Sequence, residues 1–123
     1  MQAGPQGEPS RRLVAINITA QDDHAPRMVA TLNNLGNAYG QLGNPSKQRD
    51  LLKRALAIFE RACGRESTEV AKTLGNLGNA YGKLGDHAKK RDMLERALAI
   101  FEGAYGPDHP HTRRCRSELA GMP

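Results

Sequence analysis

Shifted against itself by 42 residues, the chain aligns Pro26–Ser67 with Thr68–His109 and matches at 24 of the 42 positions. Two blocks carry most of the identity. Leu35–Gly40 and Leu77–Gly82 both read LGNAYG, and Arg54–Glu60 and Arg96–Glu102 both read RALAIFE. Self-similarity at a fixed period of this size marks a duplicated supersecondary unit, not low complexity. One such unit cannot hide its own apolar stripes. It hides them by stacking on a copy of itself, so the period constrains the architecture before any single residue does.

Each unit reads as two helices. In the first unit Leu32, Leu35, Gly36, Tyr39 and Leu42 recur at three- and four-residue steps and mark one helical face. Gly43 supplies a stop, Asn44 a cap and Pro45 a pre-set first position for the partner helix. There the apolar set is Leu51, Leu52, Ala55, Ile58, Phe59 and Ala62, and Gly64 closes the helix. The second unit repeats the scheme, with Gly85 as stop, Asp86 as cap and Gly106 at the end. The seven prolines (5, 9, 26, 45, 107, 110, 123) fall in tails, loops or first helical turns. No period-2 alternation between hairpin turns occurs, so no strand is predicted. The expected fold is all-α, an α-solenoid of stacked antiparallel helix hairpins.

The flanks extend the pattern. Residues 10–25 read as a degenerate half repeat, because Arg12, Ala15, Ile16 and Ala20 align with Arg54, Ala57, Ile58 and Ala62. Residues 110–123 read as a C-terminal capping helix, with Arg116 where Leu74 stood. A polar-faced half unit is what the end of a stack needs. Between two full repeats (26–67 and 68–109) and these flanks, five or six helices are expected, and residues 1–9 are read as a disordered tail.

Composition agrees with a thin stack. Apolar residues make up 38% and aromatics 4% of the 123 residues, with no Trp, which disfavours a thick spherical core. Lysine and arginine exceed the acids by 18 − 13 = 5, an excess that favours solubility and weak attraction to acidic partners. The bases are mostly interleaved with acids, and no aromatic residues alternate with a basic stripe, so nucleic-acid binding is disfavoured. Cys63 and Cys115 are 52 residues apart and so do not occupy equivalent repeat positions. Free thiols in a reducing cytosol are the expectation. No apolar run approaches the roughly 20 residues needed to span a bilayer. A cytoplasmic protein without membrane contact is expected.

Leu-Gly, two residues, Tyr and a later Gly, with Ala and a large apolar residue in the partner helix, together resemble the tetratricopeptide repeat, whose usual period is about 34 residues. The 42-residue version, ending in Gly106-Pro107-Asp108-His109-Pro110, looks like the longer repeats of kinesin light chain and its relatives. The resemblance covers about residues 11–122. It implies a right-handed superhelix with the first helices on the concave side and the second helices behind. One departure concerns packing. Where the family usually has a small residue, this chain has Gln48 and Lys90. Either their stems run outward past Gly36 and Gly78, or each helix pair is rotated.

By that resemblance the groove-facing residues are Asn33, Asn34, Asn37 and Gln41 in the first unit and Lys72, Asn76, Asn79 and Lys83 in the second, with Arg114 from the last helix. Asparagine is a poor helix former, so five of them on two helices carry a folding cost. A carboxamide pairs with both N–H and C=O of an extended backbone and so binds peptide without reading its sequence. The alternative is that the asparagines reflect repeat ancestry and solvate the surface. Some family members clamp a terminal carboxylate with a lysine, two asparagines, and a further lysine and arginine. Asn37, Asn76 and Arg114 fit that set here, whereas Asn33 and Glu118 stand where cations would be wanted. A general peptide groove with a mildly basic rim is the preferred expectation.

Other chemistry finds little purchase. Asp108, His109 and His111 lack the spacing of a zinc site and read as the start of the last helix. There is no phosphate loop, nucleophile elbow or cofactor motif. Asp22 and Asp23 read as a cap for the helix starting near Pro26. The expected function is a non-enzymatic scaffold that holds an extended, acidic peptide segment of a partner protein. The alternative is a self-assembling element that stacks end to end or swaps helices into a homo-oligomer.

Overall fold

The computed structural model describes residues 24–123, and side chains from Arg27 onward. The expected tail (1–9), the half repeat as far as residue 23 and the Asp22–Asp23 cap lie outside the described residues. Five helices follow in order: α1 (His24–Gln41), α2 (Pro45–Cys63), α3 (Thr68–Lys83), α4 (His87–Tyr105) and α5 (Pro110–Ala120). Among the described residues there is no strand. The fold is the all-helical solenoid of stacked hairpins that the period predicts.

The turn within each hairpin is built identically in both repeats. Gly43 and Gly85 adopt φ of 84° and 83°, the left-handed region where a Cβ is strained. That reversal lets Asn44 N–H donate to the Tyr39 carbonyl at 2.8 Å and Asp86 N–H donate to the Tyr81 carbonyl at 2.9 Å, which satisfies groups the helix end leaves orphaned. The same Asn44 and Asp86 then cap the next helix, accepting from the Lys47 and Lys89 backbone N–H at 3.1 and 3.2 Å. One residue thus ends one helix and begins another. Between the repeats, Ser67 caps α3 by accepting from Val70 N–H.

The core follows the repeat. Leu32, Leu52, Ala55 and Phe59 are buried in the first unit, and their counterparts Leu74, Leu94, Ala97 and Phe101 in the second. Leu77 and Tyr81 of α3 form a second cluster with Leu52 of α2, flanked by Leu56 and Met93. Glu60 on α2 pairs with Arg96 on α4, and Arg96 also donates to the Arg65 carbonyl at 3.2 Å. These contacts join one repeat to the next.

Two expectations are corrected. Gln48 does not run outward past Gly36. It is buried over Gly40, and Gly36 instead abuts Leu52. Lys90 lies over Gly82 in the equivalent way. The glycine one turn further along receives the long side chain. Second, Leu35 and Leu42 do not share the buried face with Leu32. Leu35 is 44% exposed and Leu42 80%, whereas Leu77, the counterpart of Leu35, is 2% exposed. α3 is packed on one side by α4 and on the other by α2, but the described residues place no helix against the second side of α1.

Candidate functional site

The first helices of the two repeats lie side by side. Asn33 Nδ2 donates to Thr73 Oγ1 at 3.3 Å, and Lys83 Nζ donates to the Gly40 carbonyl at 3.3 Å. Thr73 is fully buried and donates its own hydroxyl to the Glu69 carbonyl at 3.0 Å. Asn33 is therefore committed to joining the repeats. Asn34 is exposed and lines neither of the clefts described next.

The first cleft lies between α3, α4 and α5. Ala71, Phe101 and Cys115 form its apolar floor, and Lys72, Asn76, Asn79, His111, Arg114 and Glu118 supply its polar wall. Its volume is about 240 Å³. That is room for one side chain, below the roughly 300–1,000 Å³ usual for small-molecule and cofactor sites. The second cleft, about 470 Å³, is lined by polar residues and one glycine. Asn37 and Gln41 come from α1, Gln48 from α2, Asn79 and Lys83 from α3 and Lys90 from α4, with Gly82 between them. Asn79 belongs to both. Of the nine residues expected from sequence, the structure gathers Lys72, Asn76, Asn79 and Arg114 in one cleft and Asn37, Gln41, Asn79 and Lys83 in the other.

Charge is one-sided. Lys72, Arg114, Lys83 and Lys90 face the two clefts against one carboxylate, Glu118. His111 adds little positive charge at neutral pH. Burial first, then the charges of His109, Lys72 and Arg114, hold its imidazole below the usual value of 6.5. Burial also raises the Cys115 thiol above its ordinary 9.0, with Glu118 adding to the rise and Arg114 opposing it.

Phe101, His111 and Cys115 were missed as cleft residues by sequence reasoning, because each is spaced as a core or cap position. Gln48 and Lys90 carried a signal, being long polar residues where a small one is usual. Among the described residues no group of three or more His, Cys, Asp or Glu side chains is placed to hold a metal ion. His109 instead caps α5, its Nδ1 accepting from the His111 backbone N–H at 3.1 Å. No described helix is long and apolar enough to cross a membrane.

Comparison with curated proteins gives no match. A family model for the tetratricopeptide repeat matches residues 27–102 and again residues 69–122, a span that covers all five helices apart from the first residues of α1. With the period, the paired Gly-Tyr helices and the stacked hairpins already in view, that match settles the family: this chain belongs to the tetratricopeptide repeat proteins.

Proposed function

We propose that the chain is a non-enzymatic scaffold that holds an extended, acidic peptide segment of a partner protein along the face formed by α1, α3 and α5. Tetratricopeptide repeats generally mediate protein–protein interaction. The observation that carries the finer reading is the pair of clefts that share Asn79, where carboxamides from Asn37, Asn76 and Asn79 stand beside four cations, Lys72, Lys83, Lys90 and Arg114. Carboxamides serve the peptide backbone, which gives affinity without a fixed sequence. The cations select acidic side chains and speed encounter. A cytoplasmic setting and a kinship with kinesin-light-chain repeats fit the free thiols and the 42-residue period.

Fluorescence anisotropy with labelled acidic and basic peptides tests this. Acidic peptides should bind tighter, with affinity falling as salt rises, and Asn37→Ala plus Asn79→Ala should weaken binding. Equal, salt-insensitive binding of both peptides overturns the reading.

A second reading is favoured by the exposed Met28, Leu35 and Leu42 on α1. Such a face suits self-association into a homo-oligomer. Light scattering across a concentration series separates the two, since a monomer at high concentration rules out obligate assembly.

A further inference from the structure

We propose that His109 and His111 form a pH-sensitive latch, which holds α5 against α4 while both imidazoles are neutral and releases it when they take up protons. The inference concerns the docking of α5 and stands whether or not the clefts bind peptide.

Four rings meet at the α4–α5 junction. Tyr105 stacks on His109 with centroids 4.1 Å apart and planes inclined by 21°, and Phe101 stacks on His111 at 5.1 Å and 19°. The two imidazoles lie 5.2 Å from one another. The stack adds to the other anchors of α5, which are the Arg116–Glu102 ion pair and the packing of Cys115 and Leu119 on the core. α5 spans only 11 residues, and its buried side chains are Thr112 and Cys115.

Protonation acts on the latch in three ways. His109 Nδ1 accepts the capping hydrogen bond from His111 N–H, and a proton on that nitrogen removes the acceptor. A cation at the first turn of α5 opposes the positive end of the helix dipole. Two imidazolium rings at 5.2 Å repel each other. The surrounding charge reinforces this. Lys72 from α3 and Arg114 from α5 both raise the potential at His111, which lies below its ordinary imidazole value. Two acids bear on the region: Asp108 adjoins His109 in the chain, and Glu118 lines the same cleft as His111. Neither offsets the cations at His111, where burial and like charge dominate. Glu102 on α4 is engaged by Arg116 at 3.6 Å.

The sign follows from linkage. A histidine held below its unfolded value binds its proton less readily when folded, so the docked state is fully favoured above pH 6.5 and loses ground as pH falls beneath it. Most carboxylates titrate lower, at roughly pH 4. The interval from about 6.5 to 5 therefore isolates His111 from the acids.

Release of α5 uncovers Cys115, while Cys63 is exposed throughout, so the chain carries its own reference thiol. The test is the rate of labelling at each cysteine by dithiodipyridine, a disulfide reagent that works in mild acid, read by mass spectrometry on the full chain at pH 7.5 and 5.5. The Cys115-to-Cys63 ratio should rise roughly fivefold in acid, the change expected from losing one helix cap. His109→Asn with His111→Phe keeps a capping acceptor and a stacking ring without a titrating group, and should abolish the rise. His87→Asn should leave it intact. If the double variant fails to fold, His109→Asn alone replaces it and should at least halve the rise. A ratio that does not change in the parent chain, or that rises equally in the variants lacking these histidines, overturns the proposal.

Discussion

The carboxamide of Gln48 lies against Gly40 so closely that a Cβ on residue 40 would come within 2.5 Å of Oε1 and 2.6 Å of Cδ. The glycine is thus a receptor for a buried polar side chain whose Oε1 has no hydrogen-bond partner among the described residues. Gly40→Ala should destabilise the fold by about 1–3 kcal/mol, the cost of overpacking. Combining it with Gln48→Ala should recover most of that loss in a double-mutant cycle read by urea denaturation. Gly82→Ala should cost less, because the Cδ of Lys90, 2.9 Å from the added methyl, belongs to a flexible stem that can swing away.

The two LGNAYG blocks should respond unequally to the same substitution. Leu77→Ala empties a site that is 2% exposed and should cost about 2–5 kcal/mol. Leu35→Ala, at the counterpart 44% exposed, should cost about 1 kcal/mol or less. Equal urea midpoints for the two variants would show that the second side of α1 is covered in solution.

The link between Glu60 and Arg96 is partly exposed, at 23% and 25% of the side chains. Arg96→Ala should therefore lower stability by only about 1 kcal/mol or less. The difference from the parent should shrink in about 1 M salt, where the Debye length falls to roughly 3 Å.

Alkaline stability should depend on Cys115. Its thiol is raised above 9.0 by burial, so the folded state keeps the proton that the unfolded chain gives up. The stability this provides is present below pH 9.0 and falls as pH climbs through the higher folded-state value. Cys115→Ala should flatten the dependence of the melting temperature on pH between about 8.5 and 10, the range in which a thiol changes charge. The exposed Cys63→Ala should leave the slope as it is.

Most of the fold was legible in the residues, and for a definite reason. Gly43, Asn44 and Pro45 announce a hairpin turn through local backbone chemistry alone, and a copy 42 residues on repeats the statement. The apolar stripe of α1 was read less well. Leu32 and Leu35 share helical spacing, but which side of a helix meets a neighbour depends on the stack, and the stack differs for the first and second repeats. The groove expected from the family resemblance was a looser guide. Asn37, Asn76, Asn79 and Arg114 line clefts, but Asn33 turns to Thr73 across the repeat boundary.

What the sequence determined by itself was everything carried by short-range chemistry: helix starts and stops, the duplicated unit, and the need to stack. The tertiary structure alone decided which glycine receives Gln48, that Phe101 and Cys115 floor a cleft walled by Lys72 and Arg114, and that two histidines meet Tyr105 and Phe101 in one stack. Those are contacts between helices, set by crossing angle and side-chain volume. Neither quantity is encoded in the periodicity of any one helix.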